Sequence, residues 1–293
     1  MTLGTLLKQG REILQNAGIA EWDLDAWYLL EYVTGVSRSQ YFLDPEREVP
    51  QEQEVLYRQM IDKRSTHIPL QHLTGEQEFM GLTFKVNEHV LIPRQDTETL
   101  VEEAMGKVKS GDQVLDMCTG SGCILLSLLL ELPQALGTGV DVSEGALCVA
   151  KENRKRLGLE QRAELIQSDL FSADYFRKNS GNDHMEYDML ISNPPYIRTE
   201  DIEGLMEEVR FHDPVLALDG KENGLYFYEK ITEQAGTYLK PGGWLMYEIG
   251  CDQGMDVSEI MKKNGFEQIE IKKDLAGLDR VVTGRKMQEE QNV

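Results

Sequence analysis

Gln113-Val114-Leu115-Asp116-Met117-Cys118-Thr119-Gly120-Ser121-Gly122 passes from a short apolar run into a glycine-containing turn, and Cys123-Ile124-Leu125-Leu126-Ser127-Leu128-Leu129-Leu130 follows at once. The stretch reads as a strand over 113–117, a tight turn, and an apolar helix over 122–130. The pattern continues downstream. Strands are expected at 136–140 (closing on Asp141), 163–167, 187–192, 244–249, 266–273 and 280–284. Helices are expected at 145–157, 225–239 and 255–264, and Lys240-Pro241-Gly242-Gly243 reads as a turn. Strands alternating with helices predict a mostly parallel sheet covered on both faces, a fold of the α/β class.

Working back from this core, residues 1–75 read as a small helical bundle. Leu6, Leu7, Ile13 and Leu14 recur at helical spacing. Asp23 or Asp25 is placed to cap a second helix carrying Trp27, Leu29, Leu30, Tyr32 and Val33, and 51–64 sets Val55, Leu56, Met60 and Ile61 on one side. Residues 76–92, with Phe79-Met80-Gly81-Leu82-Thr83-Phe84, read as a β-hairpin linker. A helix starting at Asp96 or Thr97 and reaching Lys107 opens the last domain, 93–286, and the tail 286–293 is expected to fray.

The composition, 41% hydrophobic and 28% charged, is that of a folded chain with a sizeable core. The net charge of −21, from 51 acidic and 30 basic residues, argues against duplex nucleic acid as the main partner, because phosphate binding needs clustered Lys and Arg. Cys118, Cys123, Cys148 and Cys251 form no C-x-x-C pair, so their spacing carries no zinc signal. The five histidines, His67, His72 and His212 among them, show no ligand-like clustering. No apolar run approaches a membrane span. Met1-Thr2-Leu3-Gly4 opens no signal-peptide pattern, so the expected compartment is the cytoplasm.

Ligands of open α/β sheets bind at the carboxyl ends of the strands, and four chemically distinctive segments fall there. The turn Cys118-Thr119-Gly120-Ser121-Gly122 lets backbone approach a ligand closely. It lacks the third glycine of a dinucleotide fingerprint and the lysine of a P-loop. Asp141 can accept both ribose hydroxyls of a nucleoside, or can cap the helix that follows. Its place about twenty residues beyond the glycine turn favours the ribose. In Ser168-Asp169-Leu170-Phe171, Asp169 can accept from an adenine amino group and Leu170 or Phe171 can lie against the ring, or the segment is a simple turn.

Asn193-Pro194-Pro195-Tyr196 closes the fourth strand and is the most specific of the four. Two prolines fix φ and remove backbone donors. The Asn193 side-chain oxygen and the Pro194 carbonyl can each accept one N–H of a planar NH2 group. They would direct its nitrogen and stabilise the positive charge that grows there on alkylation. Tyr196 can stack on the planar group. This chemistry fits methylation of an amide or aromatic amine by S-adenosylmethionine. The sulfonium is already activated, so the scheme calls for neither a metal nor a strong general base.

Over nearly its whole length the chain resembles the bacterial protein-(glutamine-N5) methyltransferases that act on peptide-chain release factors. The resemblance rests on Leu91-Ile92-Pro93-Arg94-Gln95-Asp96-Thr97-Glu98, Asp116 to Gly122, Gly139-Val140-Asp141, Asn193 to Tyr196, Leu216-Ala217-Leu218-Asp219-Gly220, Tyr247-Glu248-Ile249-Gly250 with Gln253, and Asp274-Leu275-Ala276-Gly277 with Asp279-Arg280. It implies a seven-stranded Rossmann-like class I methyltransferase domain, joined by a β-hairpin linker to an N-terminal helical bundle that docks the substrate. It also implies transfer from S-adenosylmethionine to the glutamine of the Gly-Gly-Gln motif in class I release factors. By residue match, Cys118 to Gly122, Asp141, Leu170 and Asn193 would contact the cofactor, and Asn193 to Tyr196 would hold the glutamine.

The chain departs from the family pattern in several places. Gln95 stands where Pro is usual, Cys118 where Gly is frequent, and Leu170 where an aromatic is frequent. Gly220-Lys221-Glu222-Asn223-Gly224 replaces the more usual Gly-Gly-x-Asp-Gly. Arg94 has two readings, a substrate-loop organiser in the active site or the anchor of the linker through a salt bridge. Two rival substrates share the chemistry: a glutamine of a ribosomal protein, and an amino group of a nucleic-acid base, which a flipping enzyme would reach. The acidic charge and the helical N-terminal region argue against the second.

Overall fold

The computed structural model describes residues 1–178 and 186–288. The far tail, 289–293, for which fraying is expected, lies outside the described residues. Two compact units emerge, one of Met1–Glu76 with Met206–His212, the other of Gln77–Leu205 with Asp213–Val293.

In the first unit the helices Leu3–Asn16, Trp22–Thr34, Arg38–Leu43, Gln51–Arg64 and Leu70–Thr74 enclose a core of leucines with Trp27, Tyr57, Met60 and Ile61. The Thr2 hydroxyl caps the first helix by accepting the Thr5 amide at 3.4 Å. Gly35, at φ 66°, ends the second in the left-handed conformation. The short helix Arg38–Leu43 carries a capping box, Ser37 with Gln40.

Two sequence expectations fail here for one reason. Asp25 is no cap: the cap position is Glu21, without a side-chain bond, and Asp25 points inward, where its carboxylate accepts Arg64 Nε at 2.7 Å. Glu208 accepts from Nη2 of the same guanidinium. On Gln51–Arg64 the buried face is Tyr57, Met60, Ile61 and Arg64, spaced i, i+3, i+4, i+7, while Val55 and Leu56 are over 40% exposed. Ile13 and Tyr32 are likewise exposed. An aromatic hydroxyl and an ion pair occupy inward positions, and a pattern counted on aliphatic residues misses them.

In the second unit β1 (Glu76–Phe79) and β2 (Leu82–Lys85) form a hairpin. Met80 and Gly81 both have positive φ, as a two-residue type I′ turn requires. The hairpin sinks Phe79 and Phe84 into the same apolar cluster as Leu125, Leu129 and Met246.

The main sheet comprises β3 (Gln113–Met117), β4 (Leu136–Asp141), β5 (Ala163–Gln167), β6 (Tyr187–Ser192), β7 (Leu239–Glu248), β8 (Phe266–Lys273) and β9 (Asp279–Lys286), in the order β5-β4-β3-β6-β7-β9-β8. All neighbours pair in parallel except β9, which is antiparallel to both β7 and β8. Order reverses between β3 and β6, which places a ligand crevice at their carboxyl ends. Lys240-Pro241-Gly242-Gly243, expected as a turn before the strand, is an irregularity within β7. The register passes from Tyr187–Leu239 to Met189–Trp244, five residues on β7 against two on β6. After the Asn193–Tyr196 loop come three short helices that the sequence did not reveal, Thr199–Gly204, Glu207–His212, which belongs to the first unit, and Val215–Leu218. The helix expected to start at Asp96 or Thr97 is Gln95–Met105.

Gly10 tests the packing of the first unit. A Cβ there would stand 2.1 Å from the hydroxyl of buried Tyr57, which donates to the Ala26 carbonyl at 3.1 Å. Alanine is favoured over glycine in a helix by about 1 kcal/mol, but overpacking costs about 1–3 kcal/mol. We expect Gly10→Ala to lower the thermal midpoint followed by circular dichroism, and to lower it less in a Tyr57→Phe background. A raised midpoint would mean that the ring yields freely.

Candidate active site

One row of the sheet sets the site. Val140, Met117, Ser192 and Tyr247 are register partners across β4, β3, β6 and β7. The next residues along these strands therefore stand at one level: Cys118 and Asn193 have just left β3 and β6, while Asp141 and Glu248 are the last residues of β4 and β7. A cavity of about 330 Å³ opens there, lined by Cys118, Thr119, Gly120, Ser121, Asp141, Asp169, Leu170, Asn193, Pro195 and Arg94, with apolar walls from Val90, Leu91, Leu216 and Phe227. Gly122, Pro194 and Tyr196 do not line it. Gly122, at φ 80°, turns the chain into the helix Cys123–Glu131 instead.

The glycine turn is pinned from beneath. Asp116 is fully buried, and one carboxylate oxygen accepts the Thr119 hydroxyl at 2.5 Å. The other has no hydrogen-bond partner among the described residues. Burial pushes this carboxyl up to about 7 against the Thr119 bond. The Thr119 amide donates to the Val140 carbonyl at 2.9 Å. Cys118 sits at φ 63° and Leu170 at φ 49°. A non-glycine residue pays a steric cost in that region, on the order of 1–2 kcal/mol, so the two departures from the family pattern occupy strained positions where a glycine is the easy choice at 118.

Asp141 joins this turn to the next strand end. Its Oδ2 accepts the Gly120 amide and its Oδ1 the Ser143 amide, each at 2.9 Å. The helix cap itself is Ser143, whose hydroxyl accepts the Ala146 amide at 3.1 Å. Burial raises the Asp141 pKa, and the Ser143 and Gly120 amides oppose this. Each oxygen spends one lone-pair direction on backbone and keeps another for a ligand hydroxyl. Asp169 is exposed at the cavity edge, and its carbonyl accepts the Ser172 amide.

The Asn193–Tyr196 loop is held from two sides. Asn193 Nδ2 lies 3.4 Å from the buried Thr97 hydroxyl. Gln253 Nε2 donates to the Tyr196 carbonyl at 3.1 Å and to the Gly224 carbonyl at 3.2 Å, while its Oε1 accepts the Gly250 amide at 3.0 Å. The Tyr196 ring packs against the core cluster around Tyr228, and burial pushes its hydroxyl up to about 12. Gln253, Glu248 and Thr97 carry no role in the sequence reading, although all three stand in the segments that support the resemblance. Arg94 borders the cavity, and its Nη2 donates to buried Asp213 at 2.7 Å.

A family model described as the PrmC N-terminal domain matches residues 5–75, and a methyltransferase domain model matches 108–290. A release factor glutamine methyltransferase of Agrobacterium fabrum is 40% identical over 292 residues, covering 97% of this chain and 98% of the relative. The chain belongs to the release factor glutamine methyltransferase family. A second member, from Clostridium botulinum, is 37% identical and covers 98% of this chain and 100% of its own length. A solved methyltransferase of Pyrococcus furiosus shares the fold, with a TM-score of 0.50, 17% identity, and coverage of 71% of this chain and 91% of its own. The enzyme thus pairs a family-specific N-terminal unit with a methyltransferase sheet. Among the described residues no helix is long and apolar enough to cross a membrane.

Asp116 gives the site a pH signature. The carboxyl titrates near 7 when folded and near 3.8 otherwise. The folded enzyme therefore keeps a proton that the unfolded chain has released. The associated stability is full below about pH 4 and is lost as the pH rises through about 7. Between about pH 5 and 8, Asp116→Asn should lose less melting temperature than the wild type. Equal losses would assign the titration to another group.

Proposed function

We propose that this enzyme transfers the methyl group of S-adenosylmethionine to the side-chain amide nitrogen (N5) of the glutamine in the Gly-Gly-Gln motif of class I peptide-chain release factors, acting in the cytoplasm. The reading is carried by Asn193 lining the same cavity as Asp141 and the glycine turn.

The residues present suit the donor. The cavity falls within the size class of small-ligand pockets. Asp141 offers its free acceptor positions to a ribose, Asp169 sits where an adenine amino group would be met, and Leu170 supplies apolar surface. Cys118, Thr119, Gly120 and Ser121 line the remaining wall, and Gly122 sets the turn. Bound S-adenosylmethionine supplies an activated methyl group on a sulfonium.

The chain supplies the geometry. The Asn193 oxygen and the Pro194 carbonyl accept the two N–H groups of the glutamine amide and hold its nitrogen toward the cavity. The same oxygens stabilise the positive charge that develops on that nitrogen. The proton is lost to water after transfer, so no buried base is required. Pro195 walls the acceptor position, Tyr196 offers a face to the planar amide, and the Arg94–Asp213 pair borders it. Fixing an amide in line is worth several kcal/mol of barrier. The N-terminal helical unit, residues 1–75, serves as the docking platform for the release factor, with 76–92 as the linking hairpin and 93–286 as the catalytic domain. The net charge of −21 supports a protein partner over direct nucleic-acid binding.

Incubation with labelled donor and purified release factor should add one methyl to the Gly-Gly-Gln peptide in mass spectrometry. Label appearing only on a ribosomal protein or on nucleic acid would replace this substrate by one of its rivals. Asn193→Ala should abolish transfer while most of the donor affinity persists, and single-turnover rates near wild type would contradict its role. Asp141→Ala should weaken donor binding strongly in calorimetry, and an unchanged affinity would remove Asp141 from the ribose.

A further inference from the structure

We propose that Glu248, acting through Thr97, is a positioning residue that fixes which end of the Asn193 amide faces the acceptor. The inference rests on the proposed glutamine chemistry.

An asparagine side chain has nearly the same shape with its oxygen and nitrogen exchanged, so only its hydrogen-bond partners decide its orientation. The proposed reaction needs the oxygen outward, since an NH2 facing another NH2 accepts nothing. Neither proline of the loop can set this choice. The sheet can. Ser192 pairs with Tyr247, so Asn193, just past β6, and Glu248, the last residue of β7, are the next residues along neighbouring parallel strands. Glu248 is 3% exposed, and one of its carboxylate oxygens, Oε2, is buried without a hydrogen-bond partner among the described residues. Such a group is costly in a core and invites a reason other than stability.

Thr97 supplies the connection. Its hydroxyl accepts from Asn193 Nδ2, which leaves the hydroxyl proton free to donate onward. Both the Thr97 hydroxyl and the Asn193 amide lie near enough to Glu248 to favour its ionised form. An ionised carboxylate can only accept, so it sets the direction of the whole chain: amide N–H to hydroxyl, hydroxyl to carboxylate. The Asn193 oxygen is thereby turned outward.

A protonated Glu248 would instead donate to the hydroxyl, the hydroxyl would donate to the amide oxygen, and the NH2 would face the acceptor. Burial pushes the Glu248 carboxyl up to about 7, with Thr97, Arg280 and Asn193 opposing and Asp96 adding to the rise. Tyr196, Tyr228 and Cys123 are the other titratable groups that feel its charge, each with its pKa raised by burial, and Asp274 holds Arg280 at 3.1 Å.

The test compares the full-length wild type with Glu248→Gln, Thr97→Val and Thr97→Ser, using purified release factor and labelled S-adenosylmethionine. Glu248→Gln and Thr97→Val should each lower kcat on the order of 10–100-fold, with the KM for release factor and the donor Kd within about twofold. Thr97→Ser should retain most activity. Combining Glu248→Gln with Thr97→Val should cost little beyond either alone, because one chain is broken once. Wild-type kcat should fall as the pH drops below about 7, and this limb should be missing in Glu248→Gln.

Wild-type kcat in both Glu248→Gln and Thr97→Val, or a loss confined to KM or Kd, would overturn the proposal. If Glu248→Gln fails to fold, Thr97→Val, which removes only the hydroxyl, decides. A wild type that methylates no glutamine would instead defeat the parent reading.

Discussion

The parallel register of four strands is the constraint on which the site depends. Val140, Met117, Ser192 and Tyr247 share a row, and no single loop could assemble the cavity without it. A one-residue slip in a strand turns every side chain to the opposite face. Here it would send Asp141 or Asn193 away from its neighbours. Small residues in the row's surroundings protect the register. A Cβ on Gly139 would meet Leu165 Cδ2 at 2.8 Å and Thr119 Oγ1 at 3.0 Å, and one on Gly137 would meet Leu125 Cδ1 at 2.5 Å. The helix Cys123–Glu131 lies directly on this strand, so the glycine turn that precedes it is held at a fixed height above the sheet.

Placing functional groups at strand ends in a buried setting has an electrostatic consequence. Asp116, Asp141 and Glu248 all have pKa values raised by desolvation. In a structure selected for stability alone, such carboxylates would be replaced by apolar side chains. The three divide the labour: Asp116 anchors the turn through Thr119, Asp141 bridges the turn to the next strand, and Glu248 faces the loop. The guanidinium that favours the ionised form of Glu248 is that of Arg280, which Asp274 and Asp96 also engage. Neutralisation there is shared rather than complete.

Legibility in the sequence followed the range of the interaction. Asp141 and Asn193 were readable because each closes an apolar strand and stands beside a local signature. The sheet was readable because strand and helix periods alternate. Asp25 was misread as a cap, and Val55 with Leu56 as core, because Arg64 and Tyr57 hold the inward positions through partners 39 and 31 residues away. Thr97 meets Asn193 across 96 residues and Gln253 meets Tyr196 across 57. No local pattern marks a threonine or a glutamine for such a role. The β7 irregularity was read as a turn for the opposite reason: Pro241-Gly242-Gly243 is a strong local signal that the pairing of the flanking residues overrides.

The stiffness of the Asn193–Tyr196 loop therefore has two sources. Prolines restrict φ, and they also lack N–H groups, so consecutive prolines cannot tie a loop down through their own amides. The Tyr196 carbonyl accordingly takes its hydrogen bond from Gln253, which at the same time grips Gly224 and Gly250. Gly220 and Gly224 allow that close approach, since a Cβ on either would stand within 3 Å of the Tyr196 backbone. The segment Gly220-Lys221-Glu222-Asn223-Gly224 departs from the family pattern but keeps its outer glycines, where contact with the loop demands them. Its inner positions are constrained differently: Lys221 sits at φ 71°, and the Asn223 side-chain oxygen accepts the Leu225 amide at 2.9 Å. The stiffness of this loop is thus a property of the loop together with the buried polar groups behind it.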